Sequence, residues 1–186
     1  ERPFQARYFL WLPQPPKPVS TLFSFLPELV ILAGALVLFF LTLGTGREAQ
    51  ARWVSVGLAV AVFGTALLTY GSSATLFDGA YRVDAFSQLL KAIIAFGYGC
   101  IAFLSGGLRD IRTEARTEYY LFLSLSITGM LLLVSSVDVI TLFIALELSS
   151  YPLYLMVPMR RERSGKRSQI DRKSTRLNSS HATISY

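Results

Sequence analysis

The sequence predicts an all-α fold, that of a polytopic helical membrane protein, and two observations carry this prediction. Hydrophobic residues make up 52% of the 186 residues and charged residues only 16%, which is less charge than a soluble domain carries. Several apolar stretches approach or exceed the roughly 18 residues that cross a bilayer as a helix. We therefore predict five transmembrane helices, at about residues 26–46, 53–70, 83–108, 118–134 and 136–159.

The scarcity of metal-ligating residues excludes several classes of site. Cys100 is the single cysteine and His181 the single histidine, so neither a zinc site, a haem site nor a disulfide framework is expected. The net charge of +6 does not indicate nucleic-acid binding, because basic residues gather in the cytoplasmic loops of membrane proteins. We expect the lipid bilayer as a partner and no nucleic acid.

The first two helices follow an irregular leader. Residues 1–20 contain four closely spaced prolines and predict an extended, polyproline-like segment, without the order of a signal peptide. Helix one is predicted to begin near Pro27, since proline needs no donor there, and Glu28 suits the positive end of the helix dipole. Arg47 and Arg52 are expected in the connection to helix two.

Helix three contains Lys91, about two turns from its start. A polar loop, residues 78–84, is predicted before it. A lysine at this depth either extends its long stem to the membrane interface or forms a buried ion pair. Both alternatives stay open, so Lys91 is a candidate ion-pair residue without an assigned partner.

The start of helix five is predicted from Ser135 and Asp138. Their spacing matches a capping box, with Ser135 as the cap and the acidic residue three positions later. Asp138 is accordingly interpreted as a helix-start residue and not as a proton carrier.

Glu147 is the strongest candidate functional residue, because it is the only charge between Asp138 and Arg160. A lone carboxylate at membrane depth costs roughly 2.5–3.5 kcal/mol on insertion scales, so it needs a buried partner, water or a proton. Pro152 cannot donate to the carbonyl of Leu148, which leaves a polar position near the carboxyl. Two interpretations stay open: Glu147 handles ions, or it only holds helices together.

Basic residues are distributed unequally between the two sides of the predicted membrane. Ten lie in or beside the link between helices one and two, the link between three and four, and the segment after helix five. The other side has four, which are Arg2, Arg7, Lys17 and Arg82. The positive-inside rule therefore predicts that the larger set is cytoplasmic and the N-terminus outside.

The last sixteen residues, 171–186, do not fit the rest of the chain. Residues 171–181, DRKSTRLNSSH, and 184–186, ISY, resemble the in-frame translation of a common short-read sequencing adapter and make up fourteen of the sixteen. We expect this tail not to be native and exclude it from fold reasoning. The net charge then falls from +6 to +4, and the natural gene is expected to continue past about Ile170.

Three motifs resemble subunit N of proton-pumping NADH:quinone oxidoreductase, respiratory complex I. They are LPEL at 26–29, DAF at 84–86 followed by Lys91, and the stretch from Glu118 to Tyr154 with LFIALELS at 142–149. The resemblance covers residues 26 to about 168, and the motif in helix five is its most specific part. It implies an antiporter-like subunit of about fourteen helices in inverted repeats, of which this chain is an N-terminal fragment.

The resemblance also implies a function. Glu147 matches a family glutamate that pairs with lysines of later helices, beyond Ile170, in proton translocation coupled to quinone reduction. NAD, FMN, iron–sulfur clusters and quinone belong to partner subunits, so this chain is expected to bind no cofactor or metal and not to be catalytic alone. Other membrane subunits of complex I are the implied partners, in a bacterial inner membrane. The related plastoquinone enzyme, a subunit of a multisubunit cation/proton antiporter and a structural membrane subunit stay open as alternatives.

Overall fold

The computed structural model describes residues 23–44, 46–107, 111 and 115–159, which form five α-helices and one short hairpin. The helices are α1 (Leu26–Thr42), α2 (Glu48–Leu68), α3 (Ala85–Leu104), α4 (Arg116–Ser135) and α5 (Val139–Met156). Strands β1 (Ala74–Leu76) and β2 (Tyr81–Val83) pair antiparallel between α2 and α3. The fold class is the predicted one. The predicted leader, the basic segment after helix five and the tail lie outside the described residues.

Four of the described helices are long and apolar enough to cross a membrane: α2, α3, α4, and α5 with its short 3₁₀ continuation, Val157–Met159. The remaining helix, α1, is apolar and has 17 residues. At 1.5 Å per residue it measures about 25 Å, a little less than the roughly 30 Å of a bilayer core. The described part of the chain is therefore that of a multi-pass membrane protein.

The α4 helix lies at the centre of the bundle. It packs against α1, α2, α3 and α5, and its buried positions include small and hydroxyl residues such as Ser126 and Gly129. A Cβ atom on Gly129 would lie 2.3 Å from the backbone nitrogen of Ser149, so only glycine permits this approach of α4 to α5. The Ser126 Oγ donates a 2.8 Å hydrogen bond to the Ser149 carbonyl across the same contact.

The segment predicted as a polar loop is a hairpin that contacts the α4–α5 link. The carbonyl of Ala80 accepts hydrogen bonds from the backbone N–H groups of Val137, at 2.9 Å, and Asp138, at 3.4 Å. Tyr81 also bridges to Ser136. The hairpin therefore lies where α1, α3 and α5 begin, and we call this the hairpin end of the bundle.

The prediction that Ser135 is the N-cap of helix five is wrong. Asp138 is itself the N-cap, and its carboxylate accepts from the backbone N–H groups of Ile140, at 3.0 Å, and Thr141, at 3.4 Å. Ser135 instead ends α4, because the backbone is extended at Ser136 and again at Asp138. The first acceptor side chain before the new helix is therefore the aspartate.

The opposite end of the bundle has an ion pair between helix starts. The Arg116 Nη1 atom of α4 lies 3.0 Å and 2.9 Å from the two carboxylate oxygens of Glu48, on α2. Glu48 begins α2 five residues before the predicted start at Trp53, so Arg52 is helical and not in the connection. The Arg52 guanidinium lies 5.1 Å from the centre of the Trp53 indole.

Candidate functional site

Lys91 forms a buried ion pair with Glu28. The Lys91 Nζ atom lies 2.6 Å from Glu28 Oε1, and both side chains are fully buried. Glu28 is in the first turn of α1 and Lys91 in the second turn of α3, so the pair joins two helices at the hairpin end. Lys91 does not extend to the interface. Of the two alternatives that the sequence left open, the structure has the buried pair.

Tyr81 completes this pair from the hairpin. Its hydroxyl donates a 2.5 Å hydrogen bond to Glu28 Oε1, and the Lys91 ammonium lies 5.3 Å from the centre of its ring. Burial, and then the nearby Glu28 carboxylate, raise the pKa of the Tyr81 hydroxyl far above its ordinary value. The hydroxyl therefore remains a neutral donor to the carboxylate.

Local sequence explains how α3 presents Lys91. Asp84 is the N-cap of α3, and its carboxylate accepts a 2.7 Å hydrogen bond from the Ser87 N–H, while the Ser87 hydroxyl accepts from the Asp84 N–H at 2.9 Å. This capping box fixes where the helix begins. Gln88 and Lys91 then lie one turn apart on the same face, towards the start of α1.

Gln88 extends the ion pair into a larger polar cluster. Its side chain is fully buried, and its Nε2 donates a 3.2 Å hydrogen bond to the carbonyl of Ser24. Within the described residues, neither Glu28 Oε2 nor Gln88 Oε1 has a hydrogen-bond partner. Lys91 Nζ contacts Glu28 Oε1 and has no other polar partner there. The cluster thus holds both charges and unused hydrogen-bonding capacity.

Aromatic rings cover the cluster. The ring of Phe25 packs edge-to-face on Tyr81, with centroids 5.4 Å apart, and Phe77 meets the same ring at 6.3 Å. Tyr81 is only 1% exposed as a result. The ion pair therefore lies in an enclosed environment of low dielectric, where its two charges interact more strongly than in water.

Glu147 lies apart from this cluster, on α5. It is half-buried, and no described residue forms an ion pair or a side-chain hydrogen bond with it. The neighbouring Ser150 hydroxyl donates to the carbonyl of Leu146 instead, at 2.8 Å, and Tyr151 and Tyr154 are exposed. Glu147 therefore does not hold α5 to any described helix, and its carboxyl is available to another group.

Most of the α5 surface has no packing partner in the described part of the chain. The helix packs on α4 through Ala145, Ser149 and Pro152, which are its buried residues. Its large exposed apolar residues lie around the rest of the helix: Val139, Ile140, Leu142, Phe143, Ile144, Leu146, Tyr151, Leu153, Tyr154 and Leu155. Glu147 is the one acidic side chain on this otherwise apolar helix.

Sequence reasoning missed Glu28 and Tyr81 as site residues. Glu28 fits the helix dipole and the motif at 26–29, but it is also a lone acid in an apolar stretch that begins on the same side of the membrane as Lys91. Two isolated opposite charges at similar depth were the available signal. No group of three histidine, cysteine or acidic residues in the described ranges is placed to hold a metal ion.

Comparison with known proteins identifies relatives over most of the chain, although no protein-family model matches it. The chain is 65% identical over 153 residues, 82% of its length, to NADH-quinone oxidoreductase subunit N 2 of Opitutus terrae. Proteins of the same name from Syntrophobacter fumaroxidans and Solidesulfovibrio magneticus are 40% and 35% identical over 142 and 140 residues, 75% of this chain. The chain spans about a third of the length of these relatives, 32% of the first and 30% of the other two.

Proposed function

Because the chain is a homologue of the NADH-quinone oxidoreductase subunit N proteins, we propose that it is part of a membrane subunit of proton-pumping NADH:quinone oxidoreductase. In this function the subunit takes part in proton translocation coupled to quinone reduction. The observation that carries the proposal is the 65% identity over 82% of the chain. The chain contributes membrane helices to a translocase and no redox chemistry of its own: NAD, FMN, iron–sulfur clusters and quinone bind to partner subunits.

The relatives and the structure favour this function over the alternatives. The matched proteins reported above carry the name subunit N, and not that of a cation/proton antiporter subunit. Within the described residues Glu147 has no ion-pair partner, so it does not hold these helices together. The proposed location is the bacterial inner membrane, with the N-terminus outside and other membrane subunits of the complex as partners.

Glu147 is the residue that we assign to proton translocation. Among the described helices α5 packs chiefly on α4, so a carboxyl on this helix is positioned to meet a group from another part of the full-length subunit. A lysine on a later helix, beyond Ile170, is the proposed partner, because its charge offsets the cost of burying a carboxylate in the membrane. The carboxyl then carries or gates a proton as that pairing changes.

Glu147→Gln in the full-length subunit of the assembled complex tests this assignment, because it keeps the shape of the side chain and removes the titrating group. We expect a lower ratio of protons pumped to electrons transferred, with normal assembly, and a milder effect of Glu147→Asp. Glu118→Gln is the matched control, since Glu118 is exposed in the first turn of α4. The ratio is measured in membrane vesicles from proton uptake and NADH oxidation.

Two results would contradict the assignment. An unchanged ratio in Glu147→Gln would show that the carboxyl is not needed for pumping. Failure of the complex to assemble in Glu147→Gln, with normal assembly in Glu118→Gln, would show that Glu147 acts in packing. Neither result bears on membership of the complex, which is tested separately by copurification of the full-length subunit with the NADH-oxidising subunits.

A further inference from the structure

We propose that Glu28, Gln88 and Lys91 form a binding site for one internal water molecule at the hairpin end of the bundle. The site is separate from Glu147 and serves the ion pair, not the translocated proton. All three side chains are fully buried, and they come from α1 and α3. The inference goes beyond the proposed function, because it concerns residues to which that function assigns no role.

Unused hydrogen-bonding capacity points to the ligand. Within the described residues, Glu28 Oε2 and Gln88 Oε1 are buried acceptors without a donor. Lys91 has three N–H donors, and among the described residues Glu28 Oε1 is the one acceptor atom in contact with its ammonium group. A buried polar group without a partner costs about 1–3 kcal/mol, and buried waters characteristically satisfy about three such groups each.

The orientation of Gln88 is fixed by its surroundings. Its amide nitrogen donates to the Ser24 carbonyl at 3.2 Å, so its Oε1 must face away from Ser24. Gln88 and Lys91 project from the same face of α3, and Lys91 Nζ is in contact with the carboxylate of Glu28. The three side chains therefore lie at one contact between α1 and α3, and we infer that their unused polar atoms face a common region there.

A single water molecule fits this set of groups. Its two hydrogens can donate to Glu28 Oε2 and Gln88 Oε1, and its oxygen can accept from Lys91 Nζ. A cation would lie beside the Lys91 ammonium and an anion beside the Glu28 carboxylate, so a neutral ligand with both donors and acceptors is favoured. The rings of Phe25 and Tyr81 pack edge-to-face beside the ion pair, and Tyr81 is buried.

The bound water has a structural consequence. It satisfies the ion pair that joins α1 to α3, and Tyr81 joins the same pair to the hairpin. The hairpin in turn holds the link that begins α5, through the carbonyl of Ala80 and the N–H group of Asp138. The water therefore contributes to the position of the helix that carries Glu147.

The test is a density map of the intact complex with the full-length subunit, at about 2.5 Å resolution or better, where ordered waters are visible. We expect one peak within about 2.7–3.2 Å of Glu28 Oε2, Gln88 Oε1 and Lys91 Nζ. Gln88→Leu keeps most of the volume and removes one acceptor, so the peak should be lost and the melting temperature of the complex should fall. Gln50→Leu, at an exposed position of α2, is the matched control and should change neither.

The proposal is overturned if the wild-type map shows the region filled by a protein side chain or a lipid, or shows no peak there. It is also overturned if the peak remains unchanged in Gln88→Leu. Should Gln88→Leu fail to assemble, the wild-type map decides alone. These outcomes are independent of the pumping ratio in Glu147→Gln, so the two proposals fail separately.

Discussion

Glu28 and Lys91 lie on different helices, α1 and α3, yet their Oε1 and Nζ atoms are 2.6 Å apart and both side chains are fully buried. Removing two charges from water is costly, and only close geometry and further hydrogen bonds offset that cost. The Tyr81 hydroxyl provides one such bond, at 2.5 Å. The pair therefore requires α1, α3 and the hairpin to pack together. It stabilises this arrangement only while both charges are present.

The first prediction concerns the removal of one charge. Glu28→Gln or Lys91→Met alone leaves an uncompensated buried partner, so each should destabilise the subunit by about 3–5 kcal/mol. The double variant should be closer to wild type than either single variant, because no charge is left unpaired. The measurement is the amount of assembled complex and its thermal denaturation midpoint.

A partly exposed ion pair in the same chain supplies the control. Glu48→Gln weakens the contact with Arg116, whose side chain is 23% exposed, and it should cost at most about 1 kcal/mol. If the two single variants at Glu28 and Lys91 are as mild as this control, or if their effects simply add in the double variant, the pair is not an interdependent unit.

A second prediction follows from the close approach of α4 and α5. Gly129→Ala would place a Cβ atom 2.3 Å from the Ser149 nitrogen and 2.7 Å from the Leu148 carbonyl carbon, both backbone atoms that cannot move aside. The helices must separate, which also weakens the bond from Ser126 to Ser149. We expect reduced assembly of the complex, measured by the yield of intact complex after solubilisation.

The matched control for Gly129 is Gly97→Ala, on α3. No atom lies within 4 Å of a Cβ added there, so alanine should be tolerated or slightly stabilising, as it is a better helix former than glycine. Equal assembly of the two alanine variants would contradict the contact between α4 and α5.

The third prediction is a pH dependence at the start of α3. The Ser87 N–H holds the pKa of the Asp84 carboxyl below its ordinary value, since it bonds to the charged form. A lowered pKa in the folded state means that the cap stabilises the helix above the unfolded pKa, about 3.9, and that this stability is lost as pH falls through the folded pKa. Between pH 7 and about 5 the cap should therefore not weaken.

Hydrogen exchange of the first turn of α3, measured in the intact complex, checks this prediction. Asp84→Ala should raise exchange there at neutral pH, in line with the roughly 1 kcal/mol of a lost N-cap. Asp84→Asn should retain most of the protection and lose its acid dependence, since the amide still accepts a hydrogen bond but does not titrate. Identical acid dependence in Asp84→Asn and wild type would show that another group is responsible.

The five helices could be predicted from the sequence, because each is an apolar run bounded by charged or turn residues. The hairpin could not, since strands of three residues, β1 and β2, are too short to show an alternating pattern. The cap of α5 was misassigned for a related reason. Ser135 and Asp138 have the spacing of a capping box, and only the extended backbone at Ser136 shows that the first of them ends α4.

The site could be predicted only in part. The sequence allows Lys91 either to extend to the interface or to form a buried ion pair, and it places Glu28 in a motif, but the helix dipole is a sufficient local reason for Glu28. Pairing them requires the packing of α1 near the start of α3, which no local pattern contains. Glu147 is different: its isolation is visible in the sequence, whereas the partner that we propose for it lies outside the described residues.

The last prediction concerns orientation in the membrane. The hairpin and the α4–α5 link lie together at one end of the bundle, and Glu48 and Arg116 lie at the opposite end. The sequence predicts ten basic residues in the segments on the side of that opposite end and four on the side of the hairpin, so the hairpin end should face outside and the other end the cytoplasm. Reporter fusions after Arg112 and after Arg167 should both report the cytoplasm, and a fusion at Gly79, in the hairpin, should report the outside. Opposite signals from Arg112 and Arg167 would mean that one of the helices between them does not cross the membrane, and a uniform inversion of all three would mean that the N-terminus is inside.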